Sequence, residues 1–288
     1  MSEIIKTYLD HPSTVTVKLP AGATDTHVHI FGPNNKFPFA ESRGFTPEDA
    51  PKETLFALHK KLGIDRCVIV NTLLHGFDNS VVEDAMRAAE GRYLGIALTP
   101  VDPSDAELKR LALAGFRGLR FHFMPGYKID YTPEQVISLT RRLEPLGMHL
   151  QLQLHGMYAK ELMPLLKQSA VPVVMDHMGR VDATLGMEHK HFQDFCRLLE
   201  LPGFIVKVSG IDRIDTQVPY ERGITFARHL VTTYPDRCVW GSDWPHPNHT
   251  HIPDDAELVN ALAQIAPEPA LLQQLMVDNP QKLYRFSA

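Results

Sequence analysis

The stretch that decides the fold is Cys67-Val68-Ile69-Val70, a continuously apolar run of strand-forming residues. A second run of the same kind is Val171-Pro172-Val173-Val174-Met175. Strands with one solvated face alternate apolar and polar residues, whereas parallel strands covered by helices on both faces are apolar throughout. The two runs therefore predict parallel strands at the centre of an α/β domain.

Eight β-rich runs alternate with amphipathic segments along the chain. The predicted strands cover residues 24–30, 67–70, 93–98, 119–123, 149–154, 173–176, 204–208 and 238–240. Between them, N-capping residues followed by apolar positions three or four apart predict helices over 54–62, 81–89, 106–114 and 135–146. Three of these helices are predicted to end at a glycine, namely Gly63, Gly115 and Gly147.

Eight β/α units in about 250 residues predict a single (β/α)8 TIM barrel, with the active site at the carboxyl ends of the strands. An open doubly wound sheet is the alternative, but no Gly-x-Gly-x-x-Gly turn follows the first strand. Residues 21–288 are predicted to form the barrel domain. Residues 1–20 are predicted to form an N-terminal arm that lies across the bottom of the barrel or against a partner.

Composition excludes several classes of protein. The 288 residues are 44 % hydrophobic and 22 % charged with a formal charge of −5, so neither a disordered chain nor a nucleic-acid-binding protein is expected. No apolar run is long enough to span a membrane, and no secretory signal is seen at the N-terminus. Three widely spaced cysteines favour a reducing compartment, so we expect a cytoplasmic protein. A homo-oligomer is left open.

Polar side chains collect at three predicted strand ends. His27 and His29 are two apart on the first strand, so both can face the barrel axis. His177 follows the sixth strand and Asp243 follows the eighth. Because all strand ends of a barrel meet at one face, the sequence predicts that the three imidazoles and the carboxylate form one catalytic site.

These motifs resemble those of a known group of enzymes. The run Asp25-Thr26-His27-Val28-His29, the pair Asp176-His177 and the turn Gly241-Ser242-Asp243-Trp244-Pro245 are similar to motifs of the amidohydrolase superfamily. Together with Asp176-His177-Met178-Gly179-Arg180 and Trp244-Pro245-His246-Pro247-Asn248, they resemble its 2-pyrone-4,6-dicarboxylate lactonase branch. The resemblance extends from Thr24 to Phe286.

The resemblance implies reversible hydrolysis of the ring ester of a small carboxylated lactone. It implies that Asp243 is the general base on water and that His27, His29 and His177 polarise the carbonyl. It further implies that the substrate, or its ring-opened acid, is bound by Arg120, Arg180, Arg213, Asn71, Thr72, His75 and Gln153. Gln153 stands where the lactonase has a tyrosine, and Phe45 replaces another tyrosine, so a different ring substituent is expected.

A metal ion is the main open question for cofactors. Strand 5 ends at His155, and His27, His29, His155 and Asp243 would form an N3O site of the kind that zinc prefers. The resemblance to the lactonase implies instead that no metal is required. We therefore expect no required cofactor, with a single divalent metal such as zinc as the alternative.

Other functions within the same superfamily stay open. They are a sugar-acid or muconolactone-type lactonase or isomerase and a metal-dependent decarboxylase. The spacing Asp25-x-His27-x-His29 favours the lactonase branch, since decarboxylases tend to carry a glutamate in place of this aspartate. A barrel that only binds a di-acid is disfavoured by the complete set of three histidines and Asp243.

Overall fold

Eight parallel strands form the centre of the computed structural model, which describes residues 4–287. In chain order, strands β1 to β8 are Thr24–Val28, Arg66–Val70, Tyr93–Ala97, Phe116–Phe123, His149–Leu154, Val173–Met175, Phe204–Lys207 and Cys238–Val239. Each strand pairs with the next one along the chain. The N–H of Thr26 donates to the carbonyl of Trp240 at 2.9 Å, which joins the two ends of the sheet. The predicted (β/α)8 barrel is confirmed.

Helices surround the strands. The α-helices are Lys52–Leu62, Ser80–Ala88, Asp105–Ala114, Pro133–Leu143, Ala159–Leu166, Lys190–Leu199, Ile211–Ile214, Glu221–Thr233, Asp255–Asn260, Leu262–Ile265, Pro269–Gln273 and Asn279–Tyr284. Short 3₁₀ turns cover Glu144–Leu146, Gly156–Tyr158, His177–Arg180, Ala183–Leu185 and Pro235–Arg237, and Gln274–Asp278 is a π-helical turn. The helix Lys52–Leu62 ends as predicted at Gly63, whose φ of 78° lets its N–H bond the carbonyl of His59.

The inside of the barrel has an apolar half and a polar half. Inward-facing side chains of β2 and β3 pack with the C-terminal segment in a separate apolar cluster of Val68, Val70, Leu94, Ile96, Tyr284 and Phe286. The other half contains buried polar side chains on β4, β5 and β7, namely Arg120, His122, Gln151, Gln153 and Lys207. In β4 and β5 these polar residues alternate with leucine and phenylalanine packed under the helices. The polar half extends to the carboxyl ends of the strands.

The N-terminal arm runs along the outside of the barrel. Ile4–Ile5 pairs with Thr46–Pro47 in the loop after β1, at the carboxyl end of the strands. Further on, the N–H of Thr16 donates to Oδ1 of Asn260 at 2.7 Å, at the end of an outer helix. The prediction that the arm lies across the bottom is therefore wrong for Ile4–Ile5, and the alternative that the arm contacts a partner stays a prediction. The division between arm and barrel domain at residue 20 stays a prediction.

Within residues 4–287, no helix is both long enough and apolar enough to cross a lipid bilayer.

Candidate active site

Three imidazoles surround one carboxylate oxygen at the carboxyl end of the barrel. Oδ1 of Asp243 lies 3.6 Å from Nε2 of His27, 3.3 Å from Nε2 of His29 and 3.7 Å from Nε2 of His177. All four side chains are buried. The structure therefore brings together four residues from β1, the position directly after it, the loop after β6 and the loop after β8.

Unusual backbone geometry places these side chains. A Cβ atom at Gly241 would lie 2.7 Å from both the Cβ and the N of His27, so only glycine lets the end of β8 approach β1 this closely. Asp243 and His177 have φ angles of 67° and 51°, in the left-handed region. For residues other than glycine this conformation costs about 1–3 kcal/mol, and such strain is typical of functional sites.

The second nitrogen of each imidazole has its own partner. Nδ1 of His29 lies 2.7 Å from the carbonyl of Val70, and Nδ1 of His27 lies 3.3 Å from Oδ1 of Asp176. The carbonyl of Val70 requires a proton on Nδ1 of His29, so that neutral ring presents an Nε2 lone pair towards Asp243. Nδ1 of His27 faces both an acceptor, Asp176, and a donor, Nζ of Lys207 at 3.4 Å. Nδ1 of His177 instead lies 2.9 Å from the hydroxyl of Ser209, which can donate or accept.

Burial sets the charges of this group. It lowers the pKa of His27 to about 3 and also lowers the pKa of His29. Burial alone would raise the pKa of Asp243, but the Arg213 guanidinium and His177 outweigh it and hold that pKa well below its ordinary value. At neutral pH the site therefore holds an ionised carboxylate among neutral imidazoles.

Asp176 and Lys207 complete the site from below, although the sequence analysis gave neither a role. Nε of Arg120 donates to Oδ2 of Asp176 at 2.8 Å, and Nζ of Lys207 lies 3.8 Å from Oδ1. Lys207 also donates to the carbonyl of Thr26 at 2.8 Å. Burial lowers the pKa of Lys207 to about 8. The sequence does contain an indication that Lys207 has a role, since it is the one charged residue of an otherwise apolar predicted strand.

A cavity of about 550 Å³ opens above Asp243. Its lining includes His29, His177 and Asp243, and around them Thr72, Arg120, His122, Gln153, Arg180 and Arg213. His122 is a further residue that the sequence analysis missed. It is two residues after Arg120 on β4, so the period-two rule that paired His27 with His29 would have found it.

The three arginines of the cavity differ in their partners. Nε of Arg213 bonds Oδ2 of Asp243, and Nη2 donates to the carbonyl of Pro247 at 2.9 Å. Arg120 is paired with Asp176. Arg180 makes no hydrogen bond or ion pair with any residue in the described range 4–287. Burial and the nearby Arg213 lower the pKa of Arg180 to about 10, so it is still charged at neutral pH.

Asn71 and His75 do not line the cavity. Nδ2 of Asn71 donates to Oδ1 of Asn79 at 2.9 Å, and its Oδ1 accepts from the N–H of Thr72. Nε2 of His75 accepts from the N–H of Gly32 at 3.3 Å. Both side chains are buried in the loops after β1 and β2, where they hold the backbone that forms the cavity wall.

Two groups of side chains in this site could hold a metal ion. They are His27, His29 and Asp243, and His27, Asp176 and His177, each with one donor atom per residue within 4.8 Å of the others. The structure does not bring His155 into either group. Its Nδ1 accepts from the N–H of Met157 at 3.2 Å, and the ring lines an adjoining cavity on the other side of Arg180 and Arg213.

We expect the stability of the protein to fall as the pH drops from 6.5 towards 3. Burial lowers the pKa of His27, His122 and His149 to about 3, so in this range the unfolded chain binds protons that the folded chain does not. Each such group costs about 1.4 kcal/mol of unfolding free energy per pH unit. Urea unfolding at a series of pH values measures the slope.

A matched pair of variants tests whether buried histidines cause this pH dependence. His149→Gln removes one of these titrating groups from the bottom of the barrel. The slope of the unfolding free energy against pH should therefore decrease by the contribution of about one group. His11→Gln changes an exposed histidine and should leave the dependence as it is. Equal slopes in both variants would contradict the assignment.

Comparison with known proteins agrees with this geometry. The amidohydrolase family model matches residues 24–286. The chain is 40% identical to a 2-pyrone-4,6-dicarboxylate hydrolase of Comamonas testosteroni, over 99% of this chain and 98% of that protein. It is 37% identical to a 4-sulfomuconolactone hydrolase of Rhizobium radiobacter, over 94% and 92%.

A solved structure shows the same architecture. It is that of a probable 2-pyrone-4,6-dicarboxylic acid hydrolase from Acinetobacter baumannii with citric acid bound. It superimposes with a TM-score of 0.83 at 25% identity, covering 92% of this chain and 100% of that one. With its eight-stranded barrel, its histidines and Asp243 at the strand ends and these full-length similarities, the chain belongs to the amidohydrolase family.

Proposed function

We propose that this protein hydrolyses the ring ester of a small lactone that carries carboxylate groups, such as 2-pyrone-4,6-dicarboxylate. One observation carries the proposal: the Asp243 carboxylate, His29 and His177 line a cavity that also contains three arginines, and His27 is buried beside Asp243. The carboxylate and imidazoles suit ester hydrolysis, and the arginines suit an anionic substrate. The similarity to the Comamonas hydrolase and to the citrate-bound structure supports this substrate class.

Asp243 is the proposed general base. It accepts a proton from water as the water oxygen attacks the lactone carbonyl, and it returns that proton to the ring oxygen when the ester bond breaks. A carboxylate with a depressed pKa is ionised but weakly basic. The arrangement therefore relies on the position of the water, which the Nε2 lone pair of His29 can orient by accepting a hydrogen bond from its second proton.

His177 is the proposed donor to the developing oxyanion. Nε2 of His29 is an acceptor when this ring is neutral, since its Nδ1 proton faces the carbonyl of Val70. In His177 the hydroxyl of Ser209 can donate to Nδ1, which leaves the proton on Nε2. A neutral imidazole that donates where negative charge develops lowers the barrier of ester hydrolysis.

The arginines are the proposed substrate clamps. A guanidinium binds a carboxylate with two parallel hydrogen bonds, so Arg180 offers both of its donor pairs to the substrate. Arg120 and Arg213 already neutralise Asp176 and Asp243, and they present their remaining N–H groups to the cavity. Thr72 and Gln153 add neutral polar contacts on the wall.

We infer that the reaction requires no metal ion. His27, His29 and Asp243 fit one divalent cation, because Nε2 of His27 and Oδ1 of Asp243 are buried without a hydrogen-bond partner among the described residues. A cation bound there would polarise the lactone carbonyl or acidify water. However, three cations, Arg120, Lys207 and Arg213, already face the two carboxylates Asp176 and Asp243, and this excess of positive charge opposes a further cation.

A lactone with a different anionic substituent is the second candidate substrate. The 37% identity to the Rhizobium 4-sulfomuconolactone hydrolase favours it, since a sulfonate satisfies the same arginines. The proposed location is the cytoplasm. The free thiols of the three buried cysteines are consistent with a reducing compartment.

Hydrolysis of a panel of lactones tests the proposal. We expect the purified, chelator-treated protein to open 2-pyrone-4,6-dicarboxylate with a kcat/KM at least about 10²-fold above that for an uncharged lactone, because a neutral ring leaves the arginines unpaired. Titration of the released acid follows the reaction, and 4-sulfomuconolactone is the second arm.

Two outcomes would contradict the proposal. Equal rates with charged and uncharged rings would exclude the arginines as clamps. Release of carbon dioxide in place of ring opening would identify a decarboxylase. Activity that returns only on addition of zinc would keep the lactonase but overturn the inference that no metal is required.

A further inference from the structure

A second group of donor atoms lies outside the cavity of the active site. It consists of Asp212 in the short helix Ile211–Ile214 after β7 and His246 and His249 in the loop after β8, with one donor atom of each within 4.8 Å of the others. The side chains are buried, and that of His249 is only 4% exposed. None of the three residues lines the active-site cavity. The proposed hydrolysis uses none of them.

His246 is held as metal-binding histidines usually are. Its Nε2 lies 3.1 Å from Oδ1 of Asp255, which is itself fully buried. Its Nδ1 is buried and has no hydrogen-bond partner among residues 4–287. A carboxylate on one ring nitrogen fixes the tautomer and leaves the other nitrogen as a lone-pair donor, which is the pattern of a carboxylate–histidine–metal triad.

The other two residues also have unsatisfied atoms. Nε2 of His249 contacts Oδ2 of Asp212. Nδ1 of His249 and Oδ1 of Asp212 are buried, and neither has a hydrogen-bond partner in the described part of the chain. An unpaired buried polar atom costs free energy, and each of the three residues of this group has one. Such a cluster indicates that a ligand completes it.

We propose that Asp212, His246 and His249 bind one divalent transition-metal ion of the zinc class. Two imidazole nitrogens exclude magnesium and calcium, which take oxygen ligands, whereas a His₂Asp set suits zinc. In a tetrahedral zinc site the ligand atoms are about 3.4 Å apart, so the ion would replace the direct contact between Nε2 of His249 and Oδ2 of Asp212.

The surroundings leave room for a fourth ligand. A cavity of about 310 Å³ is lined by His246, His249 and His251, and on its other side by arm residues Ile5, Lys6 and Thr7. Nδ1 of His251 is also buried without a hydrogen-bond partner within residues 4–287. The ion would link the loops after β7 and β8 immediately beside Arg213, which neighbours Asp212 in the chain. Its expected effect is to stiffen these loops.

Metal titration of the whole protein tests this site. After treatment with a chelator, the protein is titrated with Zn²⁺ by calorimetry and with Co²⁺ by visible absorption, which reports tetrahedral nitrogen and oxygen ligands. We expect one ion per chain at this site and a rise in the melting temperature. His249→Ala should weaken its binding at least about tenfold and remove the rise.

Two control variants separate this site from others. His189→Ala alters another partly buried histidine with a neighbouring imidazole, and it should bind zinc as the unaltered chain does. His29→Ala disrupts the group around Asp243 and should leave zinc binding by Asp212, His246 and His249 intact. Three outcomes would overturn the proposal. They are unchanged zinc affinity in His249→Ala, loss of zinc binding by the Asp212 group in His29→Ala, and no binding of either ion by the unaltered protein.

Discussion

Replacing Asp243 with asparagine is expected to lower kcat for lactone hydrolysis by about 10² to 10⁴-fold, the usual contribution of a general base. Asparagine keeps the volume of the side chain and can still accept a hydrogen bond from Arg213. It cannot take a proton from water, and it removes the negative charge that faces three Nε2 atoms at 3.3 to 3.7 Å. Steady-state kinetics with the carboxylated lactone measures the effect.

The control for this variant is Asp78→Asn. Asp78 is exposed in the loop after β2, and its carboxylate caps the N–H of Ser80, which an asparagine oxygen can also do. We expect wild-type kinetics from it. Because Asp243→Asn leaves the Arg213 guanidinium without its anion, circular dichroism and thermal unfolding have to show that the variant is folded. A folded Asp243→Asn protein with an undiminished kcat would exclude the proposed base.

The second large effect is expected at Arg180. Substitution by methionine should lower kcat/KM for a dicarboxylated lactone at least about 10²-fold, mostly through KM, because losing one partner of a buried charge pair costs about 2–5 kcal/mol. Arg180 is the informative choice among the three arginines. Arg120 and Arg213 hold Asp176 and Asp243, so changing either would disturb the catalytic group as well.

Two further variants make this test specific. Arg180→Lys keeps the charge but loses the planar pair of donors, so it should recover part of the activity. Arg110→Met removes an exposed arginine on an outer helix and should change neither constant. If Arg180→Met keeps the KM for the dicarboxylated lactone, Arg180 does not bind a carboxylate, even if the lactonase activity itself is shown.

Local patterns predicted the framework because they depend on near neighbours in the chain. The strands Arg66–Val70 and His149–Leu154 lie where the sequence predicts strands over 67–70 and 149–154. The prediction placed the start of β4 at residue 119, because Phe116-Arg117-Gly118 is not an apolar run. The strand begins at Phe116, and Gly118 packs closely against His149. Tertiary packing, and not local preference, extends this strand.

Side-chain contacts across the barrel could not be predicted from local sequence patterns. Asn71, His75 and His155 follow strands as the other candidates do, yet their side chains bond nearby backbone and leave the catalytic group to others. Conversely, Asp176 and Lys207 are far apart in the sequence and meet inside the barrel. Which polar side chain turns inward depends on loop geometry that residue type does not reveal.

The sequence by itself determined that eight β/α units close into a barrel and that His27, His29, His177 and Asp243 reach one end of it. Periodicity and strand order suffice for this, because all strand ends of a parallel barrel lie on one face. Only the tertiary structure decided the protonation pattern of the imidazoles, the freedom of Arg180 and the grouping of Asp212 with His246 and His249. These properties depend on burial and on distances of a few ångströms between distant parts of the chain, and such distances exist only once the barrel has closed.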